Sequence, residues 1–411
     1  MSRSVPPKAP LFRCRRARVF YTYSFTLTKG GGIIQEPCKI LNGDQGASGT
    51  PPSRQGIAPH LELKDNSGWK ALPPVIGAFQ HGGGKWPATL SGLQRLFQIG
   101  GTCTFELDVR SEGKPLFTPT LLALLSLTKT RSGKPDNIAD GLLSLPDESG
   151  PLTSLYPRFA QTMGALTNDA SVEWEDKKFL AEEDEPQSPW IVTVAEVDGP
   201  VASAFCDPAG PSRQPANEKA LRRRRFENEV AQMVFRSISD QLPLEPAYLQ
   251  PPFVGAISGL YSLNLDARLF VSLSRRAVLC VCRDSQKDPG AYFLPGLLDI
   301  CELVRARWHA LVILHKLLDQ TIEAIVLREG TRQDRQTRIM EMRQRLATCL
   351  IDPTLYIVAG DALSKIYSDL RAIFRLEDLK GTLLSKMDIA DRVHRDVQEL
   401  EWMKQRGLEG S

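Results

Sequence analysis

Between Val19 and Leu27 the chain alternates. Val19, Tyr21, Tyr23, Phe25 and Leu27 share one face of an extended backbone, and Thr22, Ser24 and Thr26 share the other. A repeat of two residues marks a half-buried β-strand. Cys103, Phe105, Leu107 and Val109 repeat the pattern against Thr102, Thr104, Glu106 and Asp108. The β-branched run Trp190 to Val197 lies between Pro189 and Asp198-Gly199-Pro200 and predicts another strand. Arg268 to Leu273 and Ala277 to Cys282 flank Ser274-Arg275-Arg276, which predicts a hairpin over 268–282. Helical spacing enters at Leu90, Leu93, Leu96 and Phe97, predicting a helix that feeds the Cys103 strand. Thr118-Pro119 offers a cap and first turn for a short apolar helix, LLALLSL.

Two stretches interrupt this texture. Asn42 onward, NGDQGASGTPPSRQG, is rich in Gly, Ser and Pro and reads as a flexible insert over 42–60; 131–188 is polar and acidic and reads as a peripheral, partly helical segment. Asn217 to Asp240 reads as a helix with Leu221, Val230, Val234 and Ile238 broadly on one side.

Beyond Pro295 the period changes to that of a helix and stays there. Leu297, Cys301, Val304, Trp308, Leu311, His315, Leu318, Ile322 and Ile325 alternate steps of four and three, the seam of a heptad. Ile339, Met342, Leu346 and Cys349 or Leu350 continue it until Asp352-Pro353. Leu363, Ile366, Leu370 and Ile373 define a third segment. Leu379, Leu383, Ala390, Val393, Val397 and Leu400 define a fourth. The expected fold class is α+β: a mixed α/β part over 1–130 continues through 189–290, and a helical bundle or coiled coil fills 291–411.

The order of a long helix, an Arg-rich helix, DPTLYIVAGDALSKIYSDLRAIFRLEDL and LLSKMDIADRVHRDVQELEW resembles the helical cytosolic part of CorA-like and YagE-type proteins. The resemblance covers about a quarter of the chain and implies an α/β domain preceding long, oligomer-prone helices. In those families the helices lead into membrane spans, and CorA transporters carry a Gly-Met-Asn loop. Here the sequence stops at Gly410-Ser411 with neither, so ion transport is not part of the expectation.

Composition narrows the chemistry. A net charge of +3 over 411 residues is too mild to imply nucleic acid by itself, so any such partner must be argued from local clusters. Two clusters qualify: Arg222 to Arg225 in LRRRRF, and a stripe containing Arg328, Arg332 and Arg335. Such clusters can neutralise phosphates, but acidic residues flank both and no aromatic side chains interleave for base stacking. Eight cysteines without a C-x-x-C pair fit separately packed thiols in the cytoplasm better than a disulfide framework or a zinc ribbon. Leu297 to Leu327 carries too many charges for a membrane span.

No catalytic motif survives inspection. His81-Gly82-Gly83-Gly84-Lys85-Trp86 looks like an oxyanion loop but has no nucleophile elbow to serve and lacks the P-loop spacing, so it reads as a glycine turn. His394-Arg395-Asp396 spells the start of a kinase catalytic loop, yet Glu401 stands where its Asn belongs. His309 and His315, six apart on one helix, differ by about 120° in direction and cannot chelate a metal together. His315 is expected in the seam, and His309 on a polar flank with Arg305, Lys316 and Asp319.

No catalytic, cofactor or metal residues are therefore assigned. The expectation is a cytoplasmic, non-enzymatic interaction or regulatory protein. Its C-terminal helices, with Trp308, Leu311, His315, Leu318 and Ile322 at their interface, would bind a second copy or another protein. The alternatives are a nucleic-acid accessory protein using Arg222, Arg223, Arg224, Arg225, Arg332 and Arg335, and an enzyme with a dispersed site.

Overall fold

The computed structural model describes residues 13–29, 32–33, 47–48, 68–96, 100–112, 116–125, 127, 141–166, 173–175, 189–197, 261–266, 269–273, 277–283, 290–350 and 361–409. The Asn217–Asp240 helix, Arg222 to Arg225 and nearly all of the 42–60 insert lie outside these residues. The fold is α+β: strands crowd the N-terminal part and long helices occupy the C-terminal part.

The strands are β1 (Arg13–Cys14), β2 (Arg16–Lys29), β3 (Gly32–Ile33), β4 (Ala47–Ser48), β5 (Gly68–His81), β6 (Gly84–Leu96) and β7 (Gly101–Arg110). They continue with β8 (Leu116–Phe117), β9 (Leu142–Ser144), β10 (Glu173–Glu175), β11 (Trp190–Val197), β12 (Tyr261–Asp266), β13 (Leu269–Leu273) and β14 (Ala277–Arg283). One sheet runs in the order β12-β13-β14-β11-β2-β7-β6-β5-β4, with β3 and β10 on β2 and β9 on β5. Among the described strands, only β11 and β14 pair in parallel.

The expected strands at Val19, Cys103 and Trp190 and the 268–282 hairpin are all present. The expected helix at Leu90–Phe97 is not: its described residues form the end of β6. Leu90, Gly92, Gln94 and Leu96 share one face of β6, so glycine and glutamine hide the two-residue period, while Leu93 is buried on the opposite face. Gly82 and Gly83 turn β5 into β6 at φ values of 56° and 76°, the left-handed pair that a two-residue hairpin requires. Pro73 and Pro74 sit at the register break of β5, where no ladder hydrogen bond is asked of them.

Other elements pack on both faces of the central strands of the sheet. On one, Tyr21, Tyr23, Phe25, Phe105, Leu107 and Leu90 pack with Leu121 and Leu124 of α1 (Thr118–Leu125) and Phe159 and Met163 of α2 (Tyr156–Leu166). Tyr23 stacks on Phe159 with ring centroids 4.6 Å apart, and the buried Tyr21 hydroxyl donates to the Leu124 carbonyl at 2.7 Å. The 131–188 stretch is therefore not wholly peripheral, because Leu143, Leu155, Phe159 and Met163 belong to this core.

On the other face lie α3 (Gly290–Val326), α4 (Arg332–Leu350), α5 (Asp361–Ile373) and α6 (Leu376–Glu409). Trp190, Val192, Cys280 and Val278 meet Leu297, Leu298 and Cys301 of α3 in one apolar cluster.

Candidate functional site

The C-terminal helices carry the strongest functional expectation. α3 is their hub, packing against the sheet and against α4, α5 and α6. Trp308, Leu311 and Leu318 are buried and Ile322 is half-buried, all in the cluster shared with Leu363, Ile366, Leu370, Leu376 and Leu383. The heptad seam is thus closed inside one chain.

Phe374, in the short break between α5 and α6, explains the order of packing. Its ring lies edge-on to Trp190 of the sheet, 5.3 Å between centroids, and 5.9 Å from Trp308 of α3. Arg375 then takes a φ of 52°, the left-handed conformation that turns the chain from α5 into α6.

His309 departs from the polar flank expected of it, whereas His315 keeps its expected place between helices. His309 is 2 % exposed, and neither ring nitrogen has a hydrogen-bond partner among the described residues. Burial, aided by the Arg305 charge, pushes its pKa down to about 3. The polar flank expected there is absent because Arg305 is itself buried, its guanidinium 4.5 Å above the Trp308 ring. His315 is half-buried, and its Nε2–H donates to the Leu379 carbonyl of α6 at 3.1 Å. Burial lowers its pKa too, with the carbonyl and Asp319 opposing the shift.

Where α3 crosses β2, β7 and β6, the contact is polar. Arg95 of β6, fully buried, meets the Asp299 carboxylate at 2.7 Å and Glu302 at 3.6 Å. Thr104 donates to Glu302 at 2.7 Å and in turn accepts from Thr22 at 3.1 Å. A buried charge needs partners of this kind, and the geometry fixes the rotation of α3 on the sheet. No group of three or more His, Cys, Asp or Glu side chains able to hold a metal occurs among the described residues.

The far end of the bundle is held differently. Arg335, at the start of α4, has a side chain 3 % exposed. It donates to Glu401 of α6 at 2.6 Å and to the Gly330 carbonyl at 3.0 Å. Arg332 donates to the Gln398 Oε1 at 3.3 Å, and Arg343 pairs with Asp391 at 2.6 Å. Arg335 is therefore not the solvent-facing phosphate contact expected of it; it is an internal tie between helices. Arg332 is exposed, though it too reaches α6.

These ties place the start of α4 beside residues 398–401 of α6, and large apolar side chains on both sides of this level are uncovered, as are Ile76, Met340, Leu384 and Ile389 elsewhere. Val326 is 56 % exposed, Leu327 62 %, Leu400 45 %, Trp402 51 % and Met403 54 %. The Arg406 guanidinium sits 3.9 Å over the Trp402 ring. Leu400, expected in the seam, is exposed and falls outside it. A sequence signal for the tip existed: Trp402-Met403 continues the apolar content past Val397 out of heptad phase.

Compared with protein families, curated proteins and solved structures, the chain matches none. No helix among the described residues is long and apolar enough to cross a membrane.

Proposed function

We propose that this is a cytoplasmic, non-enzymatic interaction or regulatory protein. The sheet serves as the platform for a helical bundle, and the bundle docks a protein partner, a second copy of the chain or another protein, through its tip. The observation that carries this reading is that the seam is consumed within the chain while Val326 and Leu327 at the end of α3 and Leu400, Trp402 and Met403 near the end of α6 remain uncovered; Ile76, Met340, Leu384 and Ile389 are exposed singly elsewhere. Large uncovered apolar groups gathered at one place mark interaction surfaces, and aromatic and Met side chains are enriched in them.

A photo-crosslinking side chain in place of Met403 tests this in the source cell. The expected product is one discrete adduct, either twice the 45.6 kDa of the chain or the chain plus one partner. A control probe in place of the exposed Gln333 should give a different pattern. No adduct at position 403, or the same smear at both positions, contradicts docking through the tip. The nucleic-acid alternative loses Arg335 as a contact, and Arg222 to Arg225 lie outside the described residues.

A further inference from the structure

α4 and the end of α6 meet through a chain of side chains whose hydrogen-bond directions are fixed. Gln398 Oε1 accepts from the Arg332 guanidinium at 3.3 Å, so the other end of its amide, Nε2, is the donor that faces His394 Nε2 at 2.6 Å. The acceptor nitrogen of that bond must carry a lone pair, which makes His394 neutral with its proton on Nδ1. His394 is 9 % exposed, and its Nδ1 has no partner among the described residues.

Protonation of Nε2 would set N–H against N–H. Reversing the Gln398 amide does not relieve the conflict, because it would then turn its NH2 toward Arg332. The charges around the imidazole point the same way. From α4 it faces Arg335 and Arg332; on its own helix the compensating carboxylates are Asp391 and Glu401. Both carboxylates are already paired, Asp391 with Arg343 and Glu401 with Arg335. At the end of α3 and in the turn that follows it, the charged side chains Glu323, Arg328 and Glu329 are exposed to water. Burial, followed by the two arginines, accordingly lowers the His394 pKa.

The geometry points to an acid-sensitive clasp: neutral His394 joins α6 to α4 through Gln398 and Arg332, and its protonation releases the C-terminal half of α6. Release would uncover Ile339 and Met342 of α4 and Val397 of α6, all buried in the clasped structure. The clasp is a property of the fold and stands whether or not the tip docks a protein; if it does, acid changes the surface the partner meets.

Hydrogen exchange of the full chain, corrected for intrinsic rates at pH 7.5 and pH 5.0, reads the clasp directly. The expected result is at least a tenfold loss of protection in peptides spanning 388–406 and 332–346 at pH 5.0. His394→Gln, which stays neutral and can still accept from Gln398, should keep protection at both pH values. Equal loss in wild type and variant, or no loss in wild type, overturns the proposal. Should His394→Gln fail to fold, NMR titration of the wild-type His394 ring takes its place. A midpoint coinciding with the loss of protection upholds the clasp, and a midpoint separated from it by a pH unit or more rejects it.

Discussion

The two ends of the helical bundle are joined by different chemistry. Near the sheet, Phe374 locks between Trp190 and Trp308, and the buried Arg95–Asp299–Glu302 contact sets the rotation of α3. At the far end, α6 is tied to α4 by Arg335–Glu401, Arg343–Asp391 and the Arg332–Gln398–His394 chain, with apolar side chains left outside. Apolar packing inside a closed core is costly to open. Polar ties at a half-exposed helix end are worth little each and respond to charge. The contrast separates a part built for stability from a part available for exchange with partners.

The largest effect should come from the proximal end. Phe374→Ala leaves a cavity between two tryptophans and is expected to cost about 4 kcal/mol of unfolding free energy in urea titration; a loss below about 1 kcal/mol would erase the distinction between the two ends. Arg95→Met strands two carboxylates in the sheet–helix interface and should cost about 3 kcal/mol. The readout that matters there is hydrogen exchange, in which α3 should lose protection together with β6 and β7.

Acid should weaken the bundle through its neutral histidines. An unfolded histidine titrates near ~6.5, whereas His309 in the folded chain is held down to about 3. The stability gained by keeping it neutral is complete above pH ~6.5 and falls by about 1.4 kcal/mol per pH unit as pH drops toward the folded value. Urea midpoints measured from pH 7.5 to 5.0 should show this slope, and His309→Asn should flatten it. A midpoint independent of pH would mean that His309 is hydrated.

Arg335→Ala is expected to cost only about 1 kcal/mol, since its Glu401 partner is partly exposed. The damage should be confined to exchange in the distal turns of α4 and α6. Smallest of all, Trp402→Ser should leave stability within about 0.5 kcal/mol while abolishing tip crosslinks, because the side chain supports nothing inside the fold.

Much of this contrast was legible in the sequence where one rule governed a segment. β2 and β7 alternate cleanly because one face meets an apolar core and the other a polar helix contact. Trp190 to Val197 was readable through β-branched density, although every residue of that strand is buried. The seam of α3 was readable because its apolar stripe is spent on neighbouring helices. Reading failed where two demands overlapped. The end of β6, Leu93 to Leu96, is buried on both faces and carries Gln94 and Arg95 inside, so the leucines of this strand mimic helical spacing. His309 was misplaced because Arg305 and Lys316 suggested a wet flank, whereas Arg305 lies down over Trp308. Arg335 looked like one of a basic stripe; its partner is 66 positions away in α6 and no local pattern reveals it. The Arg95 centre was invisible for the same reason, its carboxylates lying more than 200 positions along the chain.

Hydroxyl-radical footprinting of the dilute full chain tests the central claim most directly, because it reads both ends of the bundle at once. A seam closed within one chain and an open tip predict fast oxidation of Trp402 and Met403, with Trp308, Trp190 and Met387 protected. Trp308 oxidised as fast as Trp402, or Trp402 protected in the dilute chain, would contradict it.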